Sequence, residues 1–336
     1  MNDRYSRQEA FFGIGQEGQE KLHSSRICIV GLGALGTVTA NNLARAGVGF
    51  IRIVDRDYVE LSNLQRQVIY TERDAAEALP KAEAARRHLQ EANSEIEIEA
   101  MITDFNSSTA DTLISDVDLV LDATDNFETR YLINEACHAL KKSWIYGGAL
   151  GASGMTMNII YGEDKPCFCC FAGTDSKNTG QSCATAGVLV STTSIVSSYQ
   201  CAEAIKYLTG NGKLRKTLLY FDLWENQMEE IAVTKDPECP VCVHGQYSYY
   251  GKSIGMQAVS LCGRNSVQII PADPGEVDFD YYAQKLTPLG NVTVNQFTLD
   301  FENHDIGIKL FKNGRAIIKN VDDPSRAKSI YTEFIG

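Results

Sequence analysis

The 336-residue chain has no apolar run long and uniform enough to cross a membrane. Its most apolar long segment, residues 187–205, carries Ser, Thr, Tyr, Gln and Glu throughout and predicts a buried helix instead. The opening stretch, MNDRYSRQEAFFG, lacks the apolar centre of a secretory signal, so none is expected. Positive charge is scarce. Lys and Arg number 31 against 43 Asp and Glu, a net charge of −12. That balance argues against non-specific binding to nucleic acid or to anionic membranes. There is no long internal repeat and no low-complexity tract, which excludes a solenoid or a tail-like chain.

What is present suits a compact enzyme. Apolar residues make up 44% of the chain, enough to bury one large α/β domain and a smaller one. With no export signal, the ten cysteines are expected in a reducing cytoplasm, where clustered thiols point to metal or catalysis before disulfides. Residues 26–31 read as a buried parallel strand, 34–46 as a helix ending at Gly47, and 50–54 as the next strand. A helix over 81–93 follows Pro80, then strands at 96–102 and 117–122, a helix over 127–140 and the strand WIYGGA. This alternation predicts a Rossmann-like, doubly wound, mostly parallel sheet, with ligands at the carboxyl ends of its strands.

After residue 150 the pattern changes. MTMNIIYG alternates as an antiparallel strand does, and residues 171–187 form a polar, small-residue loop. A helix over 187–208 ends at Gly210, and TLLYFDLW and MEEIAV add two strands. The expected first domain is 1–247, which holds the glycine-rich loop and the paired cysteines. From 252 to 336 a small α+β domain follows, containing SVQII, a helical DFDYYAQKL, then VTVNQFTLDFE and IGIKLFKNGRAIIK, the last turning at Asn313-Gly314, and a closing helix DPSRAKSIYTEFI.

GLGALG at 31–36 is the G-x-G-x-x-G phosphate loop, with Gly31, Gly33 and Gly36 as its glycines and Ala34 opening the helix. Asp55, nineteen residues beyond Gly36, suits ribose hydroxyls. These two features alone fit an NAD-dependent dehydrogenase equally well. The stretch DRDYVELSNLQRQ and the following helix shift the balance. A pyrophosphate carries about two charges and is held by backbone alone. A triphosphate carries about four and needs cations and metal. Arg66 and Lys81 supply the cations, and Asp125 in DATDN supplies a carboxylate for Mg. Each of these charges taken singly reads as a solvated surface residue, but the run as a whole does not. No His or Lys stands out as a hydride-transfer partner.

Two C-x-x-C spacings, Cys167/Cys170 and Cys239/Cys242, form a four-thiolate zinc signal. Cys169 intervenes and leaves the second ligand open between Cys169 and Cys170. Cys28, Cys137, Cys201 and Cys262 fall on apolar faces and read as core. Cys183 stands in the polar loop, where a core cannot explain it.

RYSRQ, GLGALG, LSNLQRQ, PKAEAAR, DATDN, PCFCC and CPVC occur in that order over residues 4–244. In this the chain resembles the ThiF/MoeB/HesA family, bacterial relatives of the ubiquitin-activating enzymes. The resemblance implies an adenylyltransferase that uses ATP and Mg to activate the C-terminal glycine of a small ubiquitin-like sulfur carrier, MoaD-like in molybdopterin synthesis or ThiS-like in thiamin synthesis. It implies that Gly31, Gly33, Ala34, Gly36, Asp55, Asp57 and Asn126 help hold the nucleotide. Asn63, Arg66 and Lys81 would contact its phosphates and Asp125 would hold Mg. Arg7 would reach in from the partner of a homodimer. The family pattern PCxxC selects Cys170 over Cys169 as a zinc ligand, and Cys183 sits where some members form a bond to the carrier after adenylation. A catalytically silent scaffold is the rival, disfavoured because every expected polar residue is present. The tail from 252 departs from the shorter members and is not the rhodanese domain that some carry; it reads as a carrier-docking or dimer-supporting module.

Overall fold

The computed structural model describes residues 3–162, 165–174, 187–252, 256–261, 265–271 and 275–336. The chain divides into two compact units, Met1–Lys252 and Ser253–Gly336.

In the first unit two helices, α1 (Ser6–Glu9) and α2 (Gly15–Ser24), precede β1 (Arg26–Val30) and α3 (Ala34–Ala46). Then come β2 (Phe50–Val54), α4 (Glu72–Ala76), α5 (Lys81–Ala92), β3 (Glu97–Met101), α6 (Ala110–Ile114), β4 (Leu119–Asp122) and α7 (Phe127–Ala139). The remainder is β5 (Ser143–Leu150), β6 (Ser153–Ile159), α8 (Phe168–Ala172), α9 (Val190–Thr209), β7 (Leu218–Asp222) and β8 (Gln227–Ile231). The eight strands form one sheet in the order β3-β2-β1-β4-β5-β6-β7-β8. Strands β1 to β5 pair parallel, and β6, β7 and β8 extend the sheet antiparallel. The central strands are apolar along their whole length because helices cover both faces. Ile27, Cys28, Ile29, Leu119, Val120 and Leu121 are all 0% exposed. The order reverses between β1 and β4, and the crevice at their carboxyl ends is where such sheets take ligands.

The second unit holds β9 (Gln257–Leu261), β10 (Ser266–Ile270), α10 (Phe279–Leu286), β11 (Asn291–Val294), β12 (Thr298–Glu302), β13 (Gly307–Phe311), β14 (Ala316–Lys319) and α11 (Pro324–Phe334). Its six strands are antiparallel in the order β11-β12-β13-β14-β10-β9, around a core that includes Val267, Leu299, Phe301, Ile308 and Leu310. The stretch 292–302 contributes to two strands, β11 and β12. The Asn295 side chain accepts from the N–H groups of Phe297 and Thr298 and folds the chain back on itself, a side-chain turn that β-propensity does not reveal. Asn313-Gly314 does form the β13–β14 turn, with Gly314 at φ 81°.

The polar loop begins later than the expected residue 171, because Phe171 and Ala172 belong to α8. The N-terminal segment is held in place. Tyr5 is buried and its hydroxyl accepts from Asn93, which also donates to the carbonyl of Ala44. Gln8 donates to the carbonyl of Ala46. Buried polar pairs of this kind, not apolar periodicity, fix the segment.

The turn from β1 into α3 is a tight packing point. Gly31 has φ 92°, and a Cβ on Gly36 would overlap the Gly31 carbonyl oxygen. Gly33 differs, with Gln67 Nε2, 4.0 Å away, as the only neighbour of such a Cβ. Gly36→Ala is therefore expected to destabilise the first unit by about 3 kcal/mol, the upper end for forcing a methyl into a packed core. Gly33→Ala should cost less than about 1 kcal/mol, the scale of a changed N-cap. Thermal melts of the two variants check this, and equal melting temperatures would contradict the packing argument.

Candidate active site and cysteine cluster

The glycine loop leaves β1 and α3 starts at Ala34, so the first N–H groups of the helix face the crevice and form an anion-binding end. Asp55 follows β2. Its carboxylate accepts from the N–H of Leu32, 2.7 Å, and from that of Asp57, 2.7 Å. Burial pushes the Asp55 pKa up, and the Lys81 ammonium opposes that rise. The acid is thus tied to the glycine loop before any ligand arrives.

Lys81 is the first residue of α5 and is 5% exposed. Its Nζ lies 3.2 Å from Asp57 Oδ2, and a buried ammonium needs such a partner. Tyr70 connects this group to the loop. Its hydroxyl donates to the Leu32 carbonyl at 3.0 Å and lies 3.3 Å from that of Lys81. Asn63 is buried in a capping turn, its Oδ1 accepting from the Glu60 N–H. Arg66 donates to the Ser62 carbonyl and forms no ion pair among the described residues, so its charge remains available to an anion.

The third contributor is the segment after β4. Asp122 is fully buried and pairs with Arg130, Nε to Oδ2 3.2 Å. Arg130 also donates to the carbonyls of Thr124, 2.6 Å, and Gly147, 3.3 Å. Burial pushes the Asp122 pKa up, and the Arg130 charge opposes it. The pair pins the loop so that Asp125 and Asn126 lie exposed beyond it. Asn126 caps α7, accepting from the Thr129 N–H. Helix α9 braces all of this from behind. Gln200 Nε2 donates to the carbonyls of Asp122, 2.8 Å, and Ile145, 3.2 Å, and Ser197 donates to that of Leu35. Gly147 makes room for Gln200, because a Cβ there would meet its amide at 2.6 Å.

Gly31, Gly33, Ala34, Gly36, Asp55, Asp57, Asn63, Arg66, Lys81, Asp125 and Asn126 therefore share the carboxyl edge of β1, β2 and β4. Tyr70, Arg130, Ser197 and Gln200 carry no motif signal and were not anticipated. Arg7 is exposed and is not on this edge of its own chain. Its neighbours Tyr5 and Gln8 are bound at the last carbonyls of α3, whereas the glycine loop is at the first. A 13-residue helix separates them by about 20 Å, further than one arginine extends. Cys183 lies outside the described residues, as does Cys262. Cys28, Cys137 and Cys201 are buried; the first two lie in the apolar core, and the Cys201 thiol donates to the Thr39 carbonyl.

On another part of the unit the thiols of Cys167, Cys170, Cys239 and Cys242 lie within 4.8 Å of one another. Three of the sulfur pairs measure 3.6, 3.6 and 4.0 Å. Metal–sulfur bonds of 2.3 Å in a tetrahedron give sulfur spacings of about 3.8 Å, so the set fits one closed tetrahedral ion. Cys169 is not one of the four; Asn134 Nδ2 lies 3.4 Å from its sulfur and 3.7 Å from that of Cys167. Cys170, not Cys169, completes the set from α8.

The ThiF family model matches residues 5–241. The sulfur carrier protein ThiS adenylyltransferase of Bacillus subtilis is 40% identical over 339 residues, covering 100% of both chains. The molybdopterin-synthase adenylyltransferase of Escherichia coli is 37% identical over 240 residues, 71% of this chain and 95% of that one. Among solved structures, E. coli MccB with ATP superposes with a TM-score of 0.62 over 72% of this chain and 74% of that one, at 20% identity, a likeness of fold.

The cluster geometry predicts one tightly held metal ion per chain. Cys239→Ser should lose it and melt lower, since structural sites of this type contribute on the order of 10 kcal/mol in peptides. Cys169→Ser should keep it. Elemental analysis decides, and loss of metal in the Cys169 variant with retention in a Cys170→Ser variant would reverse the ligand assignment.

Proposed function

The chain belongs to the ThiF family, and from that premise we infer that it is an adenylyltransferase for a small ubiquitin-like sulfur carrier. It uses ATP to adenylylate the carrier's C-terminal glycine and releases pyrophosphate. We propose a ThiS-like carrier, and hence a role in thiamin synthesis. The observation that supports this choice is the alignment with the B. subtilis ThiS enzyme from end to end, second unit included.

In this reading the carrier carboxylate attacks the α-phosphorus of ATP and pyrophosphate leaves. The nucleophile is ionised at neutral pH and needs no general base. The protein's task is placement and charge neutralisation. The N–H groups at the start of α3 face the phosphates, and Asp55 takes the ribose. Asn63, Arg66 and Lys81 meet the phosphates, and ligand binding draws Lys81 from Asp57 toward them. Asp125, exposed and free of the buried Asp122–Arg130 pair, suits a hard cation with oxygen ligands. Mg held there would supply positive charge for the pyrophosphate leaving group. Zinc is our assignment for the cysteine cluster, because four thiolates at tetrahedral spacing select it. It ties the chain after β6 to the turn after β8 and leaves no open position for catalysis. The cytoplasm, where such thiols stay reduced, is the proposed location.

Arg7 serves a second copy of the chain in a homodimer. The support is its position, since it is held at the wrong end of α3 for its own glycine loop. The second unit is assigned to carrier docking or dimer support. Cys183 is reserved for a step after adenylation.

ATP–pyrophosphate exchange tests this. Exchange should depend on a ThiS-like carrier, and Asp125→Ala should abolish it without altering the melt. Exchange with a MoaD-like carrier alone would overturn the carrier choice, and NAD binding without ATP binding would overturn the enzyme class. Cys183→Ser should retain exchange, because the first step needs charge and geometry and a thiol contributes neither. A hundredfold fall would place the thiol in that step.

Arg7→Ala should lower exchange about 10³-fold, as loss of an arginine finger does. Mixing Arg7→Ala with Asp125→Ala at equal input makes half the dimers mixed, each with one complete site. Roughly a quarter of wild-type activity should return if Arg7 acts across a two-fold interface, and none if it acts within its own chain. Tag pull-down verifies the subunit exchange.

A further inference from the structure

A buried amide beside the glycine loop is left without a bond. Gln67 is 3% exposed. Its Oε1 has no hydrogen-bond partner among the described residues, and its Nε2 donates to no group among them. An amide left unpaired inside a protein is costly. The backbone beneath it is tied on both sides. The Gln67 N–H donates to the Asn63 carbonyl at 3.0 Å, and the Gln67 carbonyl accepts from the Tyr70 N–H at 3.3 Å. Asn63 is itself buried in its capping turn, and the Tyr70 hydroxyl donates to the Leu32 carbonyl of the glycine loop. The side chain therefore starts from a fixed point.

That point faces the start of α3. Gly33 is the residue that caps this helix. A Cβ on it would find Gln67 Nε2 at 4.0 Å and nothing else within that distance. The amide thus stands beside the first N–H groups of the helix, with open space over the glycine. Backbone donors at such a helix start take an anion, and the second glycine of the fingerprint lets it approach the main chain closely. Arg66 and Lys81 bring charge to this edge. A neutral amide brings direction instead, because its N–H donors lie in a fixed plane, and it neither repels those cations nor needs a counter-ion.

We propose that Gln67 is a further nucleotide-binding residue, whose Nε2 donates to the phosphate oxygen that lies over Gly33. The proposal deepens the adenylation reading of this site and rests on it. The nucleotide then makes the bond that the folded chain leaves open. A side chain kept for a ligand and one kept for the fold respond in opposite ways when the amide is lost, and this difference is measurable.

Gln67→Met keeps the length of the side chain and removes its polarity. Without nucleotide the variant should melt at or above the wild-type temperature, because an unpaired buried polar group has been removed. Calorimetric titration of the full chain with Mg–ATP, with no carrier present, should show binding weakened about fivefold or more, the scale of one hydrogen bond to a charged group. Adenosine has the same base and ribose and no phosphate, and in a competition titration it should bind both proteins equally. A lower melt, an equal fall for adenosine, or an ATP affinity that falls by less than about fivefold would overturn the proposal. If Gln67→Met does not fold, Gln67→Asn, which draws the amide back by one methylene, carries the same comparison of ATP with adenosine. No ATP binding by the wild-type protein would overturn the adenylation reading and this contact with it. Normal wild-type binding with an unaffected variant would overturn the contact alone, so the two failures are distinguishable.

Discussion

The contact on which the nucleotide edge depends is between two pieces of backbone. Helix α3 packs so closely on the end of β1 that residue 36 can carry no side chain, because a Cβ there would occupy the Gly31 carbonyl oxygen. This approach sets the direction of α3 and with it the direction of its unpaired N–H groups. Asp55 then reads the loop through the Leu32 N–H, and Tyr70 ties the same loop to the start of α5. A phosphate site of this kind is rigid because its reference points are main-chain atoms, which have few alternatives once the strand is paired.

Around that contact the charged groups sort into two kinds. Asp122 and Arg130 are buried and satisfied, and they spend their charge on holding the 122–126 loop. Arg66, Asp125 and Arg7 are exposed or half-exposed and hold little within the chain. Buried charge fixes geometry, since moving it would strand an unpaired ion in low dielectric. Accessible charge stays available for ligand. Lys81 stands between the two kinds, buried yet paired with the half-buried Asp57.

The other end of the sheet is organised by sulfur and aromatic packing. Phe168, next to Cys167, touches Tyr131, Trp144, Tyr146 and Phe171. The cysteine cluster joins this packing to residues 239–242, more than seventy positions along the chain. Loop-closure entropy makes such a distant link costly without a strong local bond, and a tetrahedral metal site provides one. The first unit thus carries a polar crevice braced from within at one edge and an aromatic, thiol-linked packing at the other.

Much of this was legible in the residue order, where the signal is local. Glycine spacing, β-branched runs and helix stops such as Gly47 and Gly210 act within one or two turns, so the parallel strands, the phosphate loop, Asp55 and the paired C-x-x-C spacings could be read directly. The Asn295 turn leaves no mark in the residue pattern because a side chain, not the backbone, reverses the chain there. Tyr70, Arg130 and Gln200 were missed because nothing near them in sequence shows which carbonyls they meet; Gln200 reaches Asp122 across 78 positions. Spacing alone did not separate Cys169 from Cys170, since only the folded chain brings the Cys170 thiol together with those of Cys239 and Cys242. The position of Arg7 was likewise decided by Asn93 and the end of α3. By itself the sequence determined which chemical groups the protein carries and the local shape that presents a phosphate site. Only the tertiary structure decided which of those groups stand together and which charges are spent inside, because burial and long-range hydrogen bonding are properties of the packed chain.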